Sequence, residues 1–332
     1  MYVCKGVSPA QSHIDRRLRI WESLGMARKL RVEYPHAIYH VLNRGDRREA
    51  IFCGDRDREL FLETLGEACR KTGWEVQAWC LMSNHFHLVV ETPQANLVAG
   101  MKWFLGTYTS RFNRRHKLFG HLFSGRYKAL IVDGSGDGYL RTVCDYVHLN
   151  PVRAKLLGLD QPLREYRWSS YGEYLKNPRK RAGWLKGERL FGEMGIPQDS
   201  TAGRRQFERM MEQRRGFEDP QELKAVRRGW FLGDEPFRQE LLEQMARKMG
   251  RNHGGGERQE TAEAQAERIV AEELRWRKWG PSELERRRKG DQEKVRIARR
   301  LRIETTMTLR WIAQRLKMGA DGHVANCLRN KE

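Results

Sequence analysis

Two short runs do most to constrain how this chain can fold. Glu75 to Leu81 and His85 to Glu91 both carry the β-branched, aromatic and apolar residues of strands, and the polar pair Ser83-Asn84 between them suits a hairpin turn. Pro93 closes the second run. Side chains alternate faces along a strand, so His85 and His87 project to one side while Phe86, Leu88 and Val90 project to the other. Two imidazoles on one face, next but one in sequence, can share a divalent cation.

The hairpin sits inside a longer order of elements. Ala37 to Leu42 reads as a strand ended by the turn-forming Asn43-Arg44-Gly45-Asp46. Asp55 then opens a helix with apolar Leu60, Phe61, Leu65 and Ala68, stopped by Gly73. After the hairpin, Leu97 to His116 is an amphipathic helix with Met101, Phe104, Leu105, Tyr108 and Phe112 on its apolar stripe, and Tyr127 to Val132 is a fourth strand. Strand, helix, strand, strand, helix, strand is the split βαβ, ferredoxin-like order. The expected fold is therefore α+β: an antiparallel sheet with helices on one face, the other face left for ligands, followed by a mostly α-helical C-terminal region. Tyr139 to Asn150 reads as a further helix, on which Tyr146 and Asn150 are spaced i and i+4 and present a hydroxyl and an amide oxygen side by side. Pro151 biases Asn150 away from helical dihedrals and puts it at the helix end.

Charge narrows the partner. The 332 residues carry 63 Lys and Arg against 43 Asp and Glu, a formal charge of +20, with a pI near 10. A polyanion is the natural partner, nucleic acid first. No run of about 18 apolar residues exists to span a membrane, and the N-terminus lacks the apolar core of a secretory signal, so a cytoplasmic, nucleoid-associated protein is expected. The six cysteines (Cys4, Cys53, Cys69, Cys80, Cys144, Cys327) lack the paired short spacing of zinc sites and read as reduced thiols, with Cys69, Cys80 and Cys144 in apolar patterns of core residues.

Beyond the sheet the composition changes. Residues 1–30 read as a disordered extension, with Met26-Ala-Arg-Lys-Leu-Arg resembling an alternative start. The remaining boundaries are read as a catalytic domain over 31–180, a charged helical region over 181–280 and a helix-turn-helix-like DNA-binding segment over 281–332. Gly250 to Gly256 reads as a flexible loop, and Glu257 to Arg275 as a charged helix with a solvated face. Ser282 to Glu285 has capping-box spacing and opens a basic helical stretch to Ile303, interrupted at Gly290. Thr308 to Leu316, a Lys317-Met318-Gly319 turn, and Ala320 to Leu328 form the helix-turn-helix pattern.

Three linked motifs carry a family resemblance: His85-Phe86-His87 after Leu81-Met82-Ser83-Asn84, then Ser124-Gly125-Arg126-Tyr127-Lys128, then Asp145-Tyr146-Val147-His148-Leu149-Asn150-Pro151-Val152-Arg153. In identity and order they resemble the single-tyrosine HUH transposases, most of all the REP-associated tyrosine transposase branch, over about residues 31 to 180. That resemblance implies a single-stranded DNA endonuclease and strand transferase acting on hairpin or palindromic elements through a 5′-phosphotyrosine intermediate. It makes Tyr146 the nucleophile and His85 and His87 the ligands of Mg²⁺ or Mn²⁺, with Asn150 as third ligand. It leaves open whether Tyr146 serves its own subunit or a partner's in a homodimer. His148 is read as structural or DNA-facing, and Glu91 as a partner of the histidines or a solvated carboxylate. Arg44, Arg47, Arg48, Lys102, Arg111, Arg114, Arg115, Arg126 and Lys128 are the expected DNA contacts. The competing reading is a non-catalytic, sequence-specific DNA-binding protein on the same fold.

Overall fold

The structure is a computed structural model and describes residues 32–158, 160–216, 220–249, 256–280 and 282–329. The N-terminal extension expected over 1–30 and all but the last residue of the glycine-rich loop at 250–256 lie outside the described residues.

Strands β1 (Ala37–Arg44), β2 (Glu75–Leu81), β3 (His85–Thr92) and β4 (Lys128–Val132) alternate with helices α1 (Asp55–Thr72) and α2 (Leu97–His116) as the hydrophobic patterning required. The sheet order is β2-β3-β1-β4, with every one of these neighbours antiparallel. A short strand β5 (Phe231–Leu232) adds itself parallel to β4. It lies within the region expected to be charged and helical, and nothing in its two residues marks a strand before β4 is in place.

One sheet face is closed by α1 and α2. Phe86 points at them, with ring centroids 5.0 Å from Phe61 of α1 and 6.4 Å from Phe104 of α2, and Phe61 and Phe104 are 4.8 Å apart. Each of these rings is fully buried, which is worth about 1.5–3 kcal/mol apiece. Gly73 ends α1 at φ +73°, a left-handed cap that glycine adopts without strain. The next residue, Trp74, lies flat against α2 at Gly100, where a Cβ would stand 2.1 Å from the indole Cζ2. The Trp74 indole N–H donates to the Asn96 side-chain oxygen at 2.8 Å, and the Asn96 amide donates to the Thr72 carbonyl at 2.9 Å, so α1 and α2 are tied at this end.

The other face, expected to be free for ligands, carries α3 (Tyr139–His148). The helix stops short of the expected Asn150. Pro151 has no N–H to continue the ladder, Leu149 turns out at φ −85°, ψ 0°, and a single further turn, α4 (Asn150–Arg153), follows. The outer edge of β2 is covered as well. Leu81 N–H donates to the Trp168 carbonyl at 2.8 Å, Val76 N–H to the Trp184 carbonyl at 2.9 Å, and α5 (Ser170–Tyr174) lets Ser170 Oγ accept from Trp79 N–H at 2.8 Å. Helices α6 (Glu188–Glu193), α7 (Thr201–Arg214), α8 (Pro220–Arg228) and α9 (Glu235–Met249) continue the chain, and the buried cluster around the sheet extends through Phe191, Phe207 and Met211 to Leu241.

A second buried cluster joins α10 (Gly256–Trp276), α11 (Glu283–Arg286), α12 (Gln292–Glu304), α13 (Leu309–Arg315) and α14 (Asp321–Arg329) around Ile269, Ile297, Leu301, Ile312, Leu316 and Val324. The capping box at Ser282 does not form, because Ser282 has helical dihedrals and makes no side-chain cap. Asp291 instead caps α12, accepting from Glu293 and Lys294 N–H. Thr308 caps α13, and Gly319 at φ +85° makes the turn into α14. The mixed charges of α10 are not all in solvent: Arg300 of α12 bridges Glu272 and Glu273, and Arg315 of α13 bridges Glu267.

Candidate active site

The β1–β3 register pairs Leu42 with His87 and His40 with Val89, which sets His40 and His87 side by side on the face under α3. His40 Nε2 lies 2.9 Å from His87 Nδ1, and the two rings stack with centroids 5.2 Å apart at 18°. His85 stands next along, its ring edge-on to His87 at 5.1 Å, and its Nδ1 is 2.7 Å from the Asn84 side-chain oxygen. Each histidine of the His-x-His pair thus spends Nδ1 on a protein partner and leaves Nε2 for a ligand, the arrangement that fixes ring orientation at metal sites.

Burial drives all three imidazoles toward the neutral form. His40 is brought down to about 3 by burial and then by the Arg153 charge, and His85 to about 4 by burial and then Arg44. His87 falls well below the usual histidine range through burial, with His40 and His85 adding to it. A neutral imidazole keeps the lone pair that a cation needs.

Helix α3 lays Tyr146 over this face, the ring 5.8 Å from His87 and 5.6 Å from His40, edge-on to both. Arg153 reaches back from α4. Its guanidinium sits 3.9 Å above the Tyr146 ring and donates to the Tyr146 carbonyl. Asn150 is buried, and its amide nitrogen has no hydrogen-bond partner. An amide turned end for end would put its oxygen at that buried point, where a cation would satisfy it. Neutral imidazoles and an amide oxygen are donor types that a divalent ion accepts.

The remaining expected residues divide by location. Arg44, Arg47 and Arg48 are exposed at the His85 end of the sheet: Arg44 pairs with His85 in the β1–β3 register, and the Asn84 amide donates to the Arg48 carbonyl at 3.0 Å. Arg47 and Arg48 both hold positive φ there, +50° and +64°, a strained turn kept in place by those contacts. Arg126 and Lys128 are exposed nearby, Lys128 opposite Leu42. Lys102, Arg111, Arg114 and Arg115 ride on α2, against the opposite face of the sheet. Arg111 forks onto Glu67 of α1 at 2.7 and 3.0 Å, and Arg115 pairs with Asp57 at 3.1 Å. Glu91 is buried and bound to Arg189 at 2.7 Å, with His36 at 3.7 Å, and has no contact of this kind with His85 or His87. His148 is buried among Tyr171, Tyr174 and Phe207, 2.8 Å from Ser170 Oγ, and faces no solvent.

Two features escaped the sequence reading. His40 was read only as a strand residue, although a histidine inside an apolar strand needs a buried partner. The other is a group on the α1–α2 side, where ligand atoms of Cys53, Asp57 and His116 lie within 4.8 Å of one another and could hold a metal ion. Asp57 is already engaged there, accepting from Cys53 N–H at 2.8 Å and from His116 at 2.9 Å besides Arg115.

The sheet thus sets paired histidines against a tyrosine-bearing helix. Residues 33–150 match the model of the family described as IS200-like transposases. Among solved structures, one of a REP-associated tyrosine transposase bound to a REP hairpin is similar over 48% of this chain and 92% of its own, at 14% identity and a TM-score of 0.38. No curated protein matches the chain. Among the described residues no helix is long and apolar enough to cross a membrane.

Proposed function

We propose that the chain is a divalent-metal-dependent single-stranded DNA endonuclease and strand transferase of the REP-associated tyrosine transposase kind, acting on hairpin or palindromic DNA. The observation that carries this reading is the seat of Tyr146 over the sheet face that bears His85 and His87, 5.8 Å from the His87 ring. His85 and His87 would hold the ion through Nε2, with Asn150 as third ligand. Bound there, Mg²⁺ or Mn²⁺ would supply positive charge to polarise the scissile phosphate and offset the charge that develops in the transition state.

Tyr146 Oη attacks phosphorus, the Tyr–O–P bond forms as the P–O3′ bond breaks, and the phenolic proton ends on the departing 3′ oxygen. The products are a 5′-phosphotyrosine and a free 3′-hydroxyl. One phosphoester replaces another, so a 3′-hydroxyl attacking the adduct reverses the step and joins strands without a nucleotide cofactor. Arg153, stacked on the Tyr146 ring, holds the nucleophile's approach. Arg44, Arg47, Arg48, Arg126 and Lys128 receive the phosphates flanking the cleavage point, and the α13–turn–α14 pair supplies a second DNA contact. Lys102, Arg111, Arg114 and Arg115 face away from this groove and contribute only to the general attraction for a polyanion.

The test is a single-stranded oligonucleotide with a hairpin, incubated with Mg²⁺ or Mn²⁺ and resolved under denaturing conditions. A protein–DNA adduct that forms in the wild type and is lost in Tyr146→Phe and in EDTA is the expected result. The same adduct persisting in Tyr146→Phe refutes the nucleophile. Tight hairpin binding without an adduct under any divalent metal favours the non-catalytic DNA-binding reading.

A further inference from the structure

The segment joining α2 to β4 holds an apolar tip in open solvent. Phe119 is 98% exposed and Leu118 beside it 52%, whereas most other large aromatic side chains among the described residues are buried. Apolar surface of this kind left in water is unfavourable, and a defined geometry that keeps it there points to a partner. The geometry is defined. Lys117 leaves α2 at φ +54°, Leu118 N–H donates to the Asn113 carbonyl at 2.9 Å, and the Asn113 amide donates to the Gly120 carbonyl at 3.0 Å. On the far side Asp46 N–H donates to the Leu122 carbonyl at 2.9 Å, Phe123 is buried against Phe86, and Ser124 N–H donates to the Arg44 carbonyl at 2.9 Å.

Those last contacts place the base of the loop at the His85 end of the sheet, since Arg44 is the register partner of His85 and Gly45 N–H donates to the Asn84 carbonyl at 2.8 Å. The charge around the tip is predominantly basic. No Asp or Glu occurs from Thr92 to Val132, while Lys117 and Arg126 of this stretch are exposed; in the adjoining turn the acids Asp46 and Glu49 are outnumbered by exposed Arg44, Arg47 and Arg48. An aromatic tip with cations on both sides is suited to one class of partner: a nucleobase stacks on the ring while its neighbouring phosphates meet the cations.

We propose that Leu118 and Phe119 are a stacking wedge for an unpaired or terminal base of the bound DNA, beside the strand that reaches the histidine face. The proposal rests on the DNA-processing reading above. It is tested on the full chain with hairpin oligonucleotides carrying 2-aminopurine at successive unpaired positions. The wild type quenches one position on binding. Phe119→Ala, which alters a fully exposed side chain, abolishes that quench and weakens binding by about 5- to 100-fold, while Phe119→Trp keeps both. An unchanged quench and affinity in Phe119→Ala overturn the wedge alone. A Phe119→Ala variant that binds DNA normally but loses self-association in sedimentation also overturns it, by giving the tip to a second copy of the chain. Failure of the wild type to bind any hairpin oligonucleotide overturns the DNA reading, and the wedge with it.

Discussion

In His40→Phe the ring volume stays and both ring nitrogens go. For His87 to offer the Nε2 lone pair, its proton must sit on Nδ1 and be donated across 2.9 Å to His40 Nε2. His40 must then carry its own proton on Nδ1, the buried atom that has no partner. The substitution leaves the His87 N–H unsatisfied, at a cost of about 1–3 kcal/mol, and at the same time removes the orphaned His40 Nδ1, a relief of similar size. The stacked contact at 5.2 Å survives in a phenyl ring. Stability without metal should therefore change by less than about 1 kcal/mol. Metal affinity has no such offset, because His87 is freed to turn or to protonate at Nε2, and removal of the partner that orients a ligand weakens binding by about 10- to 100-fold. Manganese titration followed by electron paramagnetic resonance, alongside thermal denaturation in EDTA, separates the two quantities. A Mn²⁺ affinity within about twofold of wild type, or a stability loss in EDTA as large as the loss of binding, would refute the orienting role of His40.

Three further outcomes follow from the same geometry. Asn150→Ala should weaken Mn²⁺ binding by about tenfold or more with little effect on stability, since its buried amide nitrogen makes no bond to lose; unchanged affinity would leave His85 and His87 as the only protein ligands. Gly100→Ala should destabilise the domain by about 1–3 kcal/mol in chemical denaturation, because the new Cβ meets the Trp74 ring at 2.1 Å; a neutral result would mean that the indole moves freely. Arg126→Ala should lower the slope of log affinity against log salt by about one for a hairpin oligonucleotide, while Lys102→Ala, on the opposite face, should not; equal effects would argue that the DNA wraps both sides.

What could be read along the chain and what could not differ by how far apart the cooperating residues lie. His85 and His87 are related by the period of one strand, so the sequence alone brings that pair to a common face, whereas the helical spacing read for Tyr146 and Asn150 is broken where α3 ends at His148. Most strands and helices were legible because their signals are local, as in the β-branched and aromatic content of Glu75 to Leu81 and the stripe of Leu97 to His116. His40 is 47 residues from His87, and only the pairing of Leu42 with His87 makes them neighbours. The Cys53, Asp57 and His116 group arises in the same way, from the packing of α1 on α2. Composition announced a polyanion but no face for it: Arg111 and Arg126 look alike in sequence, and one forks onto Glu67 while the other stands in solvent near the histidines. Local spacing also misleads where the backbone disagrees, as at Ser282, whose helical dihedrals disqualify it as a cap that Asp291 then supplies. The residues most worth mutating are therefore His40 and Phe119. The first is defined by register, the second by what the packed structure leaves uncovered, and both are invisible to any window sliding along the chain.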